Sequence, residues 1–193
     1  PITQTAIDRK QTLIAFEEMF VWGPNGEIGL HTFYKNNELA GYCAVLHALQ
    51  LKGIDGHYGN QRKVTIFSFG AVSRGAIYAI KRRGFKDITI IIQRPDHMVR
   101  EEVLDCHYAR LREGVEGEAR MIVVEHDGTE RALLEMIRES DILINGTHQD
   151  PDNPMQFVTE EEQSSLKPGC LIIDISCDEG MGFYFAKPTT FKD

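Results

Sequence analysis

The sequence predicts an α/β fold, a doubly wound parallel sheet. Three observations carry that prediction: short β-branched runs recur between residues 63 and 175, helical patterns alternate with them, and a glycine turn separates the first run from the first helix. The runs cover 64–67, 88–92, 121–124, 142–144 and 171–173. Each is almost wholly apolar, as strands buried on both faces are, whereas half-exposed antiparallel strands alternate with polar residues. Candidate helices lie between them, over about 73–83, 97–113, 129–139 and 159–166.

Upstream, Leu39, Cys43, Leu46 and Leu49 stand at helical spacing and predict a helix over 36–52. The run Leu13-Ile14-Ala15-Phe16 is a candidate extra strand, and Gly53, Gly56 and Gly59 mark a loop into the first strand of the repeat. We therefore expect a helical and linker segment over 1–60 that packs on a domain over 61–193. The turn-rich stretch 149–154 follows directly on a strand, where open α/β sheets bind ligands.

The composition narrows the function. A chain of 193 residues can bury a core without disulfides, and 42% hydrophobic with 26% charged residues is ordinary for a soluble globular protein. A formal net charge of −8 argues against nucleic acid, which is bound by neutralising its phosphates. No apolar stretch approaches the ~20 residues that cross a bilayer, and no charged-then-apolar leader opens the chain. Cys43, Cys106, Cys170 and Cys177 lack CxxC spacing, so they are read as reduced core residues of a cytoplasmic protein. His31 and His47 have no partner at ligand spacing and are read as packing or surface residues, so no metal is expected. Trp22 and Phe20 are read as core or interface aromatics. A start at Pro1 suggests a processed or truncated piece.

Gly70-Ala71-Val72-Ser73-Arg74-Gly75 stands between the first strand and its helix. A strand, a tight turn and a helix N-terminus offer backbone N–H groups and a positive dipole end to a pyrophosphate. Gly70 and Gly75 fit the first and third positions of G-x-G-x-x-G, with Val72 at the second. The Ser73 hydroxyl and the Arg74 guanidinium are expected to reach phosphate. The second strand ends in Gln93-Arg94, with no carboxylate to meet a ribose hydroxyl and an arginine suited to a 2′-phosphate. These residues predict a Rossmann-type domain that takes NADP(H) over NAD. The blander alternatives are a ligand-free turn and a solvated Arg94.

The last strand and its sequel read Lys167-Pro168-Gly169, then Cys170 to Ile175, then Ser176-Cys177-Asp178-Glu179-Gly180, with Lys187-Pro188-Thr189-Thr190 beyond. This resembles the C-terminal signature of the alanine dehydrogenase and transhydrogenase family, in which a K-P-G strand ends in D-x-x-x-D-[QE]-G and continues to [RK]-P-T-T. Asn36-Asn37-Glu38-Leu39-Ala40-Gly41 resembles that family's M-S-E-x-A-G helix start, and the likeness runs along essentially the whole chain. The Asp-Glu-Gly, the serine in the glycine turn and the missing ribose carboxylate look closest to the N5-(carboxyethyl)ornithine synthases. In those enzymes NADPH reduces the imine formed between pyruvate and a side-chain amine.

The resemblance implies roles for individual residues. Asp178 takes the place of a catalytic aspartate beside the nicotinamide, able to orient the amine and help its proton transfers. Asn145, Gly146, Thr147 and His148 match a strand-end segment over the ribose and nicotinamide, with His148 a proton donor near the substrate. Ile175, Ser176 and Cys177 match cofactor-lining positions, Lys187 a basic residue on the cofactor, and Asn37 a cofactor-contacting serine; Asn36 replaces a methionine. The implied partners are a small keto acid and an amino acid. Family members are roughly twice as long, so a complementary substrate lobe or a homo-oligomer is expected. An NAD-dependent alanine dehydrogenase relative and a non-catalytic dinucleotide module are the competing readings.

Overall fold

The computed structural model describes residues 2–16, 19–93, 101–149, 153–176 and 178–188. Arg94 and Cys177 lie outside them. The chain divides into two compact units, Pro1–Asn36 and Asn37–Asp193. Residues 37–60 thus belong to the same unit as the sheet.

The first unit holds helix α1 (Ile2–Asp8) and an antiparallel hairpin of β1 (Phe20–Trp22) and β2 (Ile28–His31). Its turn closes with Gly23 N–H donating to the Glu27 carbonyl at 2.9 Å, and Gly26 supplies a φ of +82°. The expected strand over 13–16 does not form. Residues 11–15 have no regular structure, and Leu13, Ile14 and Phe16 are exposed, with no strand paired to them among the described residues. Phe20 packs edge-on to the His31 ring at 4.9 Å, while Trp22 is exposed rather than in the core.

Helix α2 (Tyr34–Lys52) leads into the second unit and buries Val45 and Leu49. Then follow β3 (Lys63–Phe67), α3 (Ala71–Arg82), β4 (Asp87–Ile92), β5 (His107–Glu113), β6 (Met121–Glu125), β7 (Glu130–Ala132), α4 (Leu133–Arg138), β8 (Ile142–Asn145), β9 (Gln156–Val158), β10 (Leu171–Asp174) and β11 (Gly182–Phe183). Seven of these strands form one sheet in the order β10-β8-β3-β4-β5-β6-β7. The four pairings from β10 to β5 are parallel, and β5-β6-β7 is antiparallel. Successive strands move outward from β3 through β4 to β5, and the chain later returns to β8 on the other flank, so the order reverses between β3 and β8.

The sheet is therefore mostly, not wholly, parallel, and three of the predicted helices change. Residues 107–113 form β5: His-Tyr-Ala-Arg-Leu-Arg-Glu buries only Ala109 and leaves His107, Arg110 and Glu113 exposed, and it is the pairing with β4 and β6 that makes the segment a strand. The segment 129–139 opens as strand β7 before α4, and 159–166 holds only the short 3₁₀ turn Gln163–Ser165. The run 121–124 is apolar because Met121 and Val123 share a core with Leu133, Met136 and Ile137 of α4.

One core layer packs Val45, Leu49, Ala76, Ile77 and Ile80 of α2 and α3 on Val64, Ile66, Ile88 and Ile90. The other packs α4, Phe157 and Phe183 on Phe67, Ile91 and Leu143. Each large side chain buried in this way contributes roughly 1.5–3 kcal/mol. At the starts of the strands, Asp141 accepts from Lys63 N–H at 2.9 Å and pairs with Lys167 at 2.5 Å, tying β3, β8 and the approach to β10 together. Cys43 is exposed on α2, not in the core, whereas Cys106 and Cys170 are half-buried. Burial pushes the Cys170 thiol up to about 11. Among the described residues no helix is long and apolar enough to cross a membrane.

Candidate functional site

The ends of β3, β8 and β10 meet at the reversal in strand order, where open α/β sheets take ligands. Leaving β3, Ser68 has a φ of +79°, a conformation glycine adopts readily and other residues rarely. Gly70 is the residue before α3, and among the described residues no side chain caps that helix, so its first-turn N–H groups and positive dipole end are left without a side-chain partner. A Cβ on Gly70 would meet nothing nearer than the Ser68 hydroxyl at 3.7 Å, so the backbone here can be approached closely.

This geometry corrects the register of the phosphate motif. The tight turn, the open helix start and the close helix–strand contact fall on Ser68, Gly70 and Ser73, with the same 68-70-73 spacing as G-x-G-x-x-G. Ser68 escapes the sequence pattern because it is not glycine. Val72 does not occupy the close-approach position; its carbonyl packs against Gly41, where a Cβ would come within 1.9 Å. Gly75 serves helix packing, since a Cβ there would lie 1.7 Å from the Glu38 carbonyl of α2. Asn37, half-buried, is the residue before Glu38 on that helix.

The expected reach of Ser73 to phosphate is not what the fold uses. Its side chain is fully buried and its hydroxyl donates to the Phe67 carbonyl at 3.1 Å. Arg74 stacks over the Phe69 ring at 4.3 Å and donates to the Glu101 carbonyl at 2.7 Å. Phe69 in turn meets Tyr108 edge-on at 5.5 Å, and Tyr108 receives Val103 N–H at 2.6 Å. Burial first, against that hydrogen bond, pushes the Tyr108 phenol up to about 12. Arg74 and Tyr108 thereby hold residues 101–103 beside the turn. Gln93, exposed at the end of β4, donates to the Met155 sulfur at 3.4 Å. Ala71 opens α3.

On the other flank a hydrogen-bonded chain joins β8 to β10. Buried Asn145 donates from Nδ2 to Asp174 at 2.9 Å and accepts Thr147 N–H at 3.1 Å, while its carbonyl accepts Ile175 N–H at 2.8 Å. The Ser176 hydroxyl donates to the Thr147 carbonyl. The Asn145 side chain is thus a brace between strands. Gly146 lies against the first turn of α3, where a Cβ would meet Ser73 Oγ at 2.5 Å. Thr147 Oγ1 and Gln149 Nε2 are buried and have no hydrogen-bond partner among the described residues. His148, between them, is exposed.

Asp178 is exposed on a loop whose footing is firm. Phe67 stacks on Phe157 at 4.1 Å, and Phe183 meets both rings edge-on. Strand β11 pairs with β9, and Gln156 donates to the Gly180 carbonyl at 2.7 Å, which fixes the loop two residues past Asp178. Lys187 is exposed near the end of the described chain. A cavity of about 470 Å³ lies along β5 and β6, lined by Ile92, Tyr108, Arg110, Val124 and His126 among others; none of its described lining residues is a predicted cofactor residue.

Comparison with known proteins agrees with this arrangement. Residues 60–193 match the family described as alanine dehydrogenase/PNT, C-terminal domain. The chain is 28% identical over 163 residues to an N(5)-(carboxyethyl)ornithine synthase of Clostridium botulinum, covering 82% of this chain and 38% of that protein. It is also 28% identical over 204 aligned residues to an alanine dehydrogenase of Halomonas elongata, covering all of this chain and 49% of that protein. An L-alanine dehydrogenase structure shares the fold with a TM-score of 0.63 at 18% identity, over 100% of this chain and 51% of the other. A dipicolinate synthase structure from Bacillus halodurans does so with a TM-score of 0.56 at 12% identity, over 89% and 45%. The chain spans about half the length of these relatives or less. With its turn at the crossing of β3 and β8 and its match over 60–193, the chain belongs to the alanine dehydrogenase/PNT family as a dinucleotide-binding domain.

Proposed function

We propose that the chain is the NADPH-binding domain of an amino-acid oxidoreductase that reductively condenses pyruvate with the side-chain amine of ornithine or lysine. The observation that carries the reading is the Ser68-Gly70-Ser73 turn, which presents the uncapped start of α3 at the reversal of strand order. The residues present suit a dinucleotide: first-turn N–H groups of α3 for the pyrophosphate, and the segment Gly146 to Gln149 with Ile175 and Ser176 for the nicotinamide end. Bound there, the cofactor supplies a hydride. Asp178, on its anchored loop, holds the amine and takes or returns its proton, with His148 as a second proton carrier. Lys187 and the N–H groups of Ala71 and Val72 bind the phosphates.

Two features support the synthase reading: the Clostridium botulinum relative, and a β4 whose described end, Gln93, bears no carboxylate to repel a 2′-phosphate. Arg94 is the residue proposed to meet that phosphate. The keto acid and amine are bound with residues of a complementary substrate lobe or a homo-oligomeric neighbour, in the cytoplasm. The match of the whole chain to the Halomonas elongata protein favours a second reading, an NAD-dependent alanine dehydrogenase relative.

Calorimetric titration separates the two. Tighter NADPH than NADH, with the preference lost in Arg94→Ala, is the expected result. A full-length gene product that oxidises L-alanine with NAD but does not join pyruvate to ornithine or lysine would sink the synthase assignment.

A further inference from the structure

We propose that the first unit, Pro1–Asn36, is one side of an interface, and that residues 13–16 become a strand in the sheet of a complementary lobe like the one the longer relatives carry. The proposal rests on the reading above for the lobe itself and gives it a docking surface. Ala6 is the unit's only buried residue among the described ones, while Leu13, Ile14, Phe16, Trp22, Ile28 and Leu30 are each more than half exposed. So dense an apolar surface marks a contact rather than a solvent face. Nor can these elements stand by themselves: α1 has seven residues, and β1 and β2 form a two-stranded hairpin.

The run Leu13-Ile14-Ala15-Phe16 defines the kind of partner. Neighbouring residues of a strand face opposite ways, so four apolar residues in succession suit a strand covered on both faces, as β3 and β8 are. All four are exposed, and residues 12–15 make no backbone hydrogen bond among the described residues. Their N–H and C=O groups are open to a neighbouring strand, and their side chains to layers above and below it.

A second copy of the chain fits less well. Pairing two such runs makes a ribbon whose apolar faces both stay in water, whereas a sheet covered on both sides takes in the edge and the faces together. The relatives also favour the lobe. The match to the C-terminal domain begins at residue 60, yet the likeness to the Halomonas elongata protein takes in the whole chain and only 49% of that protein. Residues 1–36 therefore correspond to a part of that relative outside the matched domain.

Hydrogen exchange on the 193-residue chain and on the full-length gene product tests this. In the chain alone the amides of residues 13–16 are expected to exchange at nearly the free rate, and in the full-length product about a hundredfold more slowly or better. Ile14→Asp is expected to leave the melting temperature of the chain unmoved, because Ile14 is exposed there, and to lower that of the full-length product by several degrees, because a carboxylate enters an apolar sheet. The exchange comparison needs no variant and stands even where the aspartate abolishes folding. Three results overturn the proposal: residues 13–16 unprotected in the full-length product, a full-length product that adds no lobe, or protection in the chain alone that rises with its concentration and so belongs to a second copy. NADPH titration of the same samples keeps the two readings apart. Protection without NADPH binding removes the dinucleotide reading and leaves the docking surface, and binding without protection does the reverse.

Discussion

The two halves of the seven-stranded sheet are built on different principles. In β3, β4 and β8 almost every residue is buried, the pairings are parallel, and the carboxyl ends converge on one edge. In β5, β6 and β7 the pairings are antiparallel, and much of the surface is held by ion pairs such as Arg112 with Glu118 and Glu130, and Arg131 with Glu125. Parallel strands gather their ends and so can assemble a site from distant segments. A meander instead folds back on its neighbours and extends the sheet. Sequence change is therefore tolerated differently across the molecule.

The harshest test falls on the helix that opens the converging half. Gly75→Ala places a methyl 1.7 Å from the Glu38 carbonyl, backbone against helix. In an open helix this change is mildly stabilising; here we expect a loss of about 3 kcal/mol or more in denaturant unfolding. A neutral result would show that α2 can move away from α3.

Next comes the anchor beneath the same half. Partial burial alone would raise the Asp141 carboxyl, but the Lys167 ammonium, the Lys63 N–H and the charge of Arg62 outweigh it and hold the group below its ordinary value. Its contribution is then complete above about pH 4 and is lost as pH falls through the lowered value. Asp141→Asn is expected to cost about 2 kcal/mol at neutral pH and to flatten the acid limb of the stability profile. An acid limb as steep as that of the wild type refutes this.

Ser68→Gly has the opposite sign. Relief of the positive φ outweighs the greater freedom of an unfolded glycine, and a gain of about 1 kcal/mol is expected in thermal melts. A loss would mean that the Ser68 hydroxyl, which accepts Gly70 N–H at 3.3 Å, matters more than the strain. The smallest effect is expected in the meander: Arg112→Ala should leave the melting temperature almost unmoved at high salt, because exposed ion pairs are screened.

The same contrast explains what can be read from the sequence. β3, β4 and β8 are legible because burial on both faces writes itself as an unbroken apolar run, and the edge strand β10 because its Leu-Ile-Ile is apolar although only Ile173 is buried. β5 is not, since the charges spread over His107–Glu113 and its exposed positions three apart can be placed on a helix as readily as on a strand. The run over 121–124 looks parallel because α4 covers it, a fact of tertiary packing. In the site, the turn and the Asp178 loop are legible, yet the glycine pattern points two residues too late. Only a backbone angle shows that Ser68 stands where glycine would. Nor can spacing show that Ser73 and Asn145 turn inward to brace the strands, or that Gln149, in a stretch that reads as loop, is buried. Arg94 and Cys177 lie outside the described residues.

The Phe67, Phe157 and Phe183 rings come from three strands far apart in the chain, and their stack anchors β11, the strand that follows the Asp178 loop. That loop cannot swing as a free flap, because lifting it strips a phenylalanine from the interior. On the proposed reading its acid is held in place before any ligand arrives, at the cost of the adaptability a free flap would have.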